Sequence, residues 1–180
     1  MSEGGISIGE RAPEFWLPDT AGESHEVGGP AEAVEATVVY WTCNHCPYAL
    51  AWQDRLHAVA RDYGGHGVRF LAINSNDAER YPADSPGAMR ERVEREGWSH
   101  PFLHDESQEV ARAYGAQATP DVFVFDRGLA LRYRGAPDAD YEDPGQDAAW
   151  LREALEAVLA GREPERAETE PVGCSIKWRS

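Results

Sequence analysis

The sequence predicts an α/β fold in which a central β-sheet is flanked by helices. Residues 37–41 (TVVYW) show no polar alternation, which is typical of a strand that is buried on both faces of a sheet. An amphipathic helical run follows from Pro47 to Tyr63, and a second apolar strand occupies residues 68–73. Strand, helix and strand in this order predict a βαβ unit with parallel strands and a right-handed crossover.

Length and composition indicate one globular domain. The chain has 180 residues, of which 42% are hydrophobic and 10% are aromatic, enough to form a substantial core. We expect a single domain over residues 1–180, with its core at about 6–161. The C-terminal tail at 162–180 begins with charged residues, but its Cys, Ile and Trp near the end predict that it docks on the core.

The N-terminal part predicts a β-hairpin. Two short extended pieces, at 12–17 and 23–27, flank a turn rich in Pro, Asp and Gly. A loop at 28–35 then leads to the first core strand.

Further elements follow the βαβ unit. The polar loop from Asn74 to Asp84 is either a ligand-binding loop or a solvated connection, and Ser85 and Pro86 then begin a helix that Gly97 ends. The predicted apolar stripe of the first helix consists of Leu50, Ala51, Leu56, Val59 and Ala60. The remaining predicted elements are an extended piece at 101–104, helices at 107–114 and 146–160, and strands at 121–126 and 129–134.

The charge and hydropathy patterns exclude two classes of partner. The net charge is −15, from 32 acidic and 17 basic residues, and nucleic-acid binding needs a basic surface. No apolar run approaches the roughly 18 residues of a membrane span, so we expect neither a nucleic-acid nor a membrane partner. The first residues have neither the basic start nor the apolar stretch of a secretory signal, which predicts a cytoplasmic location.

The motif with the clearest chemistry is Cys43-Asn44-His45-Cys46, between the first core strand and the following helix. Three cysteines are too few for a disulfide framework, and in a reducing compartment a close pair is more often redox-active or metal-binding. Free backbone N–H groups and the helix dipole at the start of a helix favour a thiolate. We therefore expect a lowered pKa for Cys43.

Several motifs together resemble a known group of proteins. They are CNHC after a core strand, ATP at 118–120 before another strand, ERAPEF at 10–15, the loop motifs INSND and RYPADS, and GCSIKW at 173–178. This pattern resembles the thioredoxin-like superfamily, and within it the peroxiredoxin-like (AhpC/TSA, TlpA-like) group with a CxxC motif. The resemblance implies a thioredoxin-like fold with a central mixed β-sheet, flanking helices and an N-terminal β-hairpin.

The resemblance also implies roles for residues around the motif. Cys43 is expected to be the exposed attacking cysteine, and Cys46 the partner that resolves the mixed disulfide. Thr119 and Pro120 are expected to form a cis-proline site whose backbone pairs with a bound polypeptide or thiol partner. The buried acid of thioredoxin, six residues before the first cysteine, is replaced by Thr37, and Cys43 stands where peroxiredoxins have a threonine.

Other residues near the motif are candidates for binding or tuning. A partly cationic His45 is expected to lower the pKa of Cys43, and the less favoured alternative is a solvated surface histidine. Asn44 and Trp41 are expected to contact substrate, although an aromatic residue beside a core strand is also typical of packing. Cys174 is either a third redox thiol or a small apolar residue that holds the tail on the core.

These observations predict a thiol–disulfide oxidoreductase that uses the Cys43/Cys46 couple, with no bound cofactor and no metal. Its partners would be a protein or low-molecular-weight thiol or disulfide and an electron-donor thiol system. One alternative is a thiol peroxidase, in which one cysteine becomes a sulfenate and the other resolves it. Another is a copper- or zinc-binding module that uses Cys43, His45, Cys46 and Cys174 as ligands.

Overall fold

The computed structural model describes residues 5–28 and 34–180. The strands and helices, in chain order, are β1 (Phe15–Pro18), β2 (Ser24–Val27), β3 (Ala36–Trp41), α1 (Pro47–Gly64), β4 (Val68–Asn74), α2 (Pro86–Glu96), β5 (Phe102–His104), α3 (Glu109–Tyr114), β6 (Ala118–Thr119), β7 (Asp121–Asp126), β8 (Leu131–Gly135), α4 (Ala149–Leu159) and β9 (Cys174–Ser175). A short 3₁₀ turn at Pro82–Asp84 precedes α2.

A five-stranded mixed sheet forms the centre of the fold, in the strand order β5-β4-β3-β7-β8. β3 pairs in parallel with β4, and β4 pairs in parallel with β5. β7 runs antiparallel to β3, and β8 runs antiparallel to β7. Because α1 joins the parallel strands β3 and β4, the predicted βαβ unit and the predicted mixed sheet are both confirmed.

Both faces of the sheet are covered, because successive residues of a strand point to opposite sides. Val38 and Tyr40 of β3 belong to a core cluster that includes buried side chains of α1, α2 and α4. Val39 and Trp41 belong to a second cluster, shared with the hairpin and α3. All six residues of β3 are buried, which explains why its sequence shows no polar alternation.

Helix α1 is confirmed, but its buried face differs from the predicted one. Leu50 is 46% exposed, and Ala51 is exposed as well. The buried residues of α1 are Ala49, Trp52, Gln53, Leu56, His57, Val59 and Ala60. At 3.6 residues per turn, the face through Leu56 continues back through Trp52 and Ala49. Because this buried face includes polar residues, the sequence pattern predicted the wrong face of the helix.

Helix α2 begins and ends as the sequence predicts. The Ser85 hydroxyl accepts a hydrogen bond from the backbone N–H of Ala88 at 3.2 Å, and Pro86 is the first helical residue. Gly97 ends the helix in the left-handed region, with φ of 62°.

Three other elements begin later than predicted, because non-glycine residues adopt positive φ. These residues are Gln108 before α3, Leu129 before β8 and Ala148 before α4. At Ala148 the backbone N–H donates to Oδ2 of the buried Asp138 at 2.9 Å, a contact that helix and turn patterns in the sequence do not reveal.

The N-terminal hairpin is confirmed as an antiparallel pair of β1 and β2, in register from Phe15 opposite Val27 to Pro18 opposite Ser24. Of the loop predicted at 28–35, residues 29–33 lie outside the described residues. No helix in the described part of the chain combines the length and apolar character needed to cross a membrane.

The C-terminal segment lies against the rest of the fold. Its strand β9 pairs antiparallel with β6, so that Cys174 is opposite Thr119. Ile176 is 3% exposed and belongs to the second core cluster. The Trp178 ring lies 4.4 Å from the guanidinium of Arg112.

Two buried histidines make the stability of the fold dependent on pH. The ring centroids of His57 and His100 are 5.0 Å apart, and the Tyr40 hydroxyl lies 2.7 Å from Nε2 of His100. Burial, followed by the charge of Arg92, lowers the pKa of His57 to about 4. Burial lowers the pKa of His100 to about 3. Both rings therefore stay neutral in the folded protein at pH values where they protonate in the unfolded chain.

Because the unfolded chain binds more protons, the histidine contribution to the free energy of unfolding falls as the pH drops from about 6.5 toward 4. His57→Phe removes one of these groups, so its loss of stability between about pH 7 and pH 5 should be about 1–2 kcal/mol smaller than in the wild type. Urea unfolding at both pH values measures this difference. His66→Phe, at an exposed position, is the matched control and should keep the wild-type pH dependence. Equal pH dependence in His57→Phe and the wild type would contradict the prediction.

Candidate active site

The two cysteines of the CxxC motif lie at the junction between β3 and α1. The strand ends at Trp41 and the helix begins at Pro47, so Cys46 occupies the N-cap position. Proline is favoured at the first helical position, where a backbone N–H would have no acceptor. The remaining free N–H groups and the positive end of the helix dipole therefore act on Cys46 more directly than on Cys43.

Thr119 contacts both sulfur atoms of the motif. Its Oγ1 lies 3.5 Å from Sγ of Cys43, and its backbone carbonyl oxygen accepts a hydrogen bond from the Cys46 thiol at 3.2 Å. The Thr119–Pro120 peptide bond is cis, in accord with the resemblance to thioredoxin-like proteins. Thr119 thus holds the two thiols side by side.

Both cysteines are buried, whereas the resemblance implied an exposed Cys43. Cys43 is 1% exposed and Cys46 is 0% exposed. Cys43 comes two residues after the end of β3 and forms a buried cluster with Cys46 and Ala49. Tyr48 and Cys174 pack against this cluster. An external disulfide therefore reaches either sulfur only after neighbouring side chains are displaced.

The two thiols titrate as one unit, because they hydrogen-bond to each other. The hydrogen bond with Cys46, followed by burial, raises the pKa of Cys43. The same hydrogen bond with Cys43 lowers the pKa of Cys46 and outweighs the effect of burial. The lowered pKa that the sequence predicted for Cys43 therefore belongs to Cys46. The physical reason is the hydrogen bond from Cys43, and the N-cap position of Cys46 acts in the same direction.

A buried carboxyl group, that of Asp84, lies beside the CxxC motif. Its Oδ1 accepts hydrogen bonds from the backbone N–H of Asn44 at 2.7 Å and from Nδ2 of Asn74 at 3.0 Å. Its Oδ2 accepts a hydrogen bond from Nδ2 of Asn76 at 3.1 Å. Asp84 is 0% exposed, and its charge contributes to the raised pKa of Cys43. Asp84 is thus a buried acid beside Cys43 that the sequence did not point to.

His45 is held by this carboxyl group. Its Nδ1 lies 2.6 Å from Oδ2 of Asp84, and its ring stacks on Tyr81 with centroids 5.5 Å apart. The side chain is 31% exposed, so one edge of the ring faces solvent. The alternative of a fully solvated surface histidine therefore does not describe its environment.

Asn44 connects the motif to helix α2 and to the polar loop. Its Oδ1 accepts a hydrogen bond from Nη1 of Arg92 at 2.8 Å, and its Nδ2 donates to the carbonyl of Ala83 at 2.8 Å. The same Nη1 of Arg92 donates to the carbonyl oxygen of Cys43 at 3.0 Å. Both ends of the Asn44 amide are therefore occupied within the protein, which gives this residue a positioning role, and its contact with substrate stays a prediction.

Trp41 does not line a substrate groove, and this prediction is wrong. The side chain is 0% exposed, and its Nε1 donates to Oγ of Ser75 at 2.9 Å. Its ring packs against Tyr114 and Phe123, each with a centroid distance of 5.4 Å. As the last residue of β3, Trp41 points to the sheet face that α3 and the hairpin cover.

The polar loop from Asn74 to Asp84 packs beside the motif at its two ends, whereas Glu79, Arg80, Pro82 and Ala83 in its middle are exposed. Its ligand-binding role stays a prediction. Its buried residues are Asn74, Ser75, Asn76, Asp77 and Asp84. Burying so many polar groups is costly unless they are hydrogen-bonded, and Asp84 is the acceptor for three of the donors described above.

Cys174 reaches the motif from the C-terminal segment. It lies opposite Thr119 in the β6–β9 pair and packs against the cluster of Cys43, Cys46 and Ala49. Burial and the neighbouring Cys46 raise the pKa of Cys174 to about 11. The structure therefore brings all three cysteines together.

One set of side chains at the site has the composition of a metal site. Sγ of Cys43, a ring nitrogen of His45 and a carboxyl oxygen of Asp84 lie within 4.8 Å of one another. Thiolate, imidazole and carboxylate are all zinc ligands. This set contains Asp84 in place of Cys46 and Cys174, which the sequence had suggested as further ligands.

Sequence reasoning missed two residues of the site, Asp84 and Arg92. The position of the polar loop after a core strand pointed to the region of Asp84, but not to this residue among several acidic and amide side chains. Arg92 is 3% exposed although it lies on a charged helix, and nothing in the local pattern distinguishes it from the solvated arginines nearby.

Asp84 and His45 should have opposite effects on the thiol of Cys43. Asp84→Asn removes a negative charge beside the sulfur and should lower the pKa of Cys43 by about one unit. His45→Ala removes the ring that faces this charge and should raise the pKa. The measurement is the thiolate absorbance against pH, in proteins that also carry Cys46→Ser and Cys174→Ser, so that Cys43 titrates alone.

The matched control is Asp126→Asn, at the end of β7 that pairs with the start of β3 and is therefore remote from the motif. It should leave the pKa of Cys43 unchanged. Shifts in the same direction for Asp84→Asn and His45→Ala would contradict an electrostatic effect of this pair.

Comparison with known proteins places this site in a family context. The sequence matches the AhpC/TSA family over residues 8–134. An uncharacterized conserved protein from Geobacillus kaustophilus has 42% identity and a TM-score of 0.90, over 96% of this chain and 93% of that one. A putative thioredoxin from Neisseria meningitidis, at 19% identity and a TM-score of 0.67 over 86% of this chain and 92% of that one, shares the fold.

A curated relative is similar over a shorter range. The thiol-disulfide oxidoreductase ResA of Geobacillus thermodenitrificans is 24% identical over 124 residues, which are 68% of this chain and 65% of that protein. This chain thus spans less than two thirds of the length of the curated relative. The family match covers most of the present chain, and the mixed sheet is that of thioredoxin-like proteins. The chain therefore belongs to the AhpC/TSA family and has a thioredoxin-like fold.

Proposed function

We propose that this protein is a thiol–disulfide oxidoreductase whose redox couple is Cys43 and Cys46. The observation that carries the proposal is the placement of two buried, mutually hydrogen-bonded thiols at the start of α1, with Thr119 touching both. The name of the curated relative, a thiol-disulfide oxidoreductase, supports the same activity.

In the reductive direction, a thiolate of the pair attacks one sulfur of a substrate disulfide. A mixed disulfide forms, and the other substrate sulfur leaves as a thiolate. The second cysteine then loses its proton and attacks the first, which releases the second substrate thiol and leaves a Cys43–Cys46 disulfide. The substrate gains two electrons and the protein pair loses two, so a thiol donor has to restore the reduced pair.

The polar groups beside Cys43 would accept the proton of its thiol. Asp84 and His45 place an oxygen and a ring nitrogen within 4.8 Å of Sγ of Cys43. The pKa of Cys43 is raised, so its thiol needs a nearby acceptor before it attacks or resolves a disulfide. His45 and Asp84 are the groups that we assign to this task.

The remaining features of the proposal follow from the sequence. We propose a single domain with a docked tail, a cytoplasmic location, and membership of the peroxiredoxin-like group with CxxC and GCSIKW motifs. The substrate would be a protein or low-molecular-weight thiol or disulfide, and an electron-donor thiol system would supply the electrons. No bound cofactor and no nucleic-acid partner enter the scheme.

Insulin disulfide reduction in the presence of dithiothreitol tests the activity. Cys43→Ser and Cys46→Ser should each reduce the rate to that of dithiothreitol alone, since either change removes half of the dithiol. Asp126→Asn again serves as the control and should keep the wild-type rate. A wild-type rate in Cys43→Ser, or a wild-type protein that does not accelerate the reaction, would overturn the proposal.

The same proteins separate the activity from that of a thiol peroxidase. Stopped-flow mixing with hydrogen peroxide should oxidise the reduced protein slowly compared with a disulfide substrate. Rapid oxidation by peroxide together with weak insulin reduction would instead assign a peroxidase, with a sulfenate formed on one cysteine.

A metal-binding role is a second candidate, because of the cluster of Cys43, His45 and Asp84. Zinc binding there would give one ion per chain after purification under reducing conditions, and Asp84→Asn would abolish it. Asp126→Asn would retain it. Reduced protein without stoichiometric zinc after incubation with the ion would remove this candidate.

A further inference from the structure

A third cysteine faces the dithiol across a short pair of strands. β6 contains Ala118 and Thr119, and β9 places Cys174 directly opposite Thr119. Because Thr119 also contacts both sulfur atoms of the motif, this pairing brings the Cys174 side chain to the same place. Cys174 packs against the cluster of Cys43, Cys46 and Ala49.

The close approach of β6 and β9 depends on a glycine beside Cys174. A Cβ atom on Gly173 would lie 2.2 Å from the carbonyl oxygen of Thr119, a distance that no side chain tolerates. Glycine therefore permits the C-terminal backbone to pass directly beside Thr119. Any other residue at this position would push Cys174 away from the dithiol.

Backbone hydrogen bonds hold the segment in this position. The N–H of Ile176 donates to the carbonyl of Gln117 at 3.3 Å, and the N–H of Lys177 donates to Oδ1 of Asn76 at 2.8 Å. The carbonyl of Lys177 accepts from the N–H of Asp77 at 2.8 Å. The segment is therefore fixed on both the cis-proline side and the polar-loop side of the site.

The anchoring role that the sequence allowed for Cys174 is filled by other groups. Ile176 is 3% exposed in the second core cluster, and the hydrogen bonds above fix the backbone. Cys174 itself is only half-buried, so burial of its side chain adds little to the docking of the segment. Of the three cysteines, Cys174 is the one that is not fully buried.

We propose that Cys174 is a third redox thiol, which exchanges with Cys46 to form an alternative Cys46–Cys174 disulfide. This inference rests on the proposed function. The thiolate of Cys174 attacks Sγ of Cys46 in the Cys43–Cys46 disulfide, the Cys46–Cys174 bond forms, and Cys43 leaves as a thiolate that takes up a proton. The number of disulfides and electrons is unchanged, so the step needs no further oxidant.

The exchange moves the disulfide from a buried position to a half-exposed one. Cys43 and Cys46 are shielded from solvent, whereas Cys174 is accessible to a thiol or disulfide partner. Electrons would thus pass between the buried pair and an external partner through Cys174. Cys46 is the central sulfur of this relay, because it interacts with both of the other thiols.

Cys43→Ser tests the alternative disulfide directly. Oxidation of this variant with glutathione disulfide should produce an intramolecular Cys46–Cys174 disulfide, seen by mass spectrometry as the loss of two hydrogens and a cross-linked peptide pair after digestion in acid. The matched variant Cys46→Ser keeps Cys43 and Cys174 but lacks the central sulfur. It should form glutathione adducts, with intramolecular closure at least about tenfold slower.

The wild type provides a second measurement if a variant does not fold. Oxidised wild type, quenched in acid, should contain both the Cys43–Cys46 and the Cys46–Cys174 disulfide. The proposal is overturned if Cys43→Ser gives only adducts, or if the wild type contains the Cys43–Cys46 disulfide alone.

Cys174→Ser separates this proposal from the proposed function on which it rests. This variant should still close the Cys43–Cys46 disulfide. If it does so while no Cys46–Cys174 disulfide is found in the other proteins, the dithiol function stands and the relay is wrong. If the Cys43–Cys46 disulfide forms neither in the wild type nor in Cys174→Ser, the dithiol function itself is wrong.

Discussion

The site depends on the burial of one carboxyl group, that of Asp84. Such a group is costly to bury unless donors surround it, and the backbone of Asn44 together with the side chains of Asn74 and Asn76 provides them. Through these hydrogen bonds, the Asp84 carboxyl group holds the polar loop and the CxxC motif together, next to the start of α2. His45 completes the set from the solvent side. The geometry around the thiols is thus a consequence of satisfying Asp84.

Thr119 connects this polar centre to the sulfur chemistry. Its hydroxyl lies beside Cys43, its carbonyl accepts from Cys46 when that thiol is protonated, and its strand pairs with the C-terminal segment. One residue therefore positions all three cysteines, and Gly173 makes the third approach sterically feasible. Because the two sulfurs of the motif are mutually hydrogen-bonded, protonation belongs to the pair, with the thiolate favoured at the N-cap position.

The favoured thiolate lies at Cys46, whereas Cys43 keeps its proton more strongly. Burial of both thiols distinguishes the site from an open redox centre. The half-exposed Cys174 is therefore the cysteine that an external partner reaches most readily. Arg92 is buried beside the motif and holds the backbone of Cys43 through its carbonyl oxygen.

The sequence alone determined the α/β class, the hairpin, the βαβ unit and the capped helix α2, because each depends on local periodicity and on turn or capping residues. It also identified the cysteine pair. Only the tertiary structure decided which side chains surround that pair. Asp84 contacts a residue 40 positions away and Arg92 one 49 positions away, and no local pattern encodes such contacts. For the same reason, Trp41 became a core residue and the lowered pKa belongs to Cys46: burial and hydrogen-bond partners are properties of the folded chain.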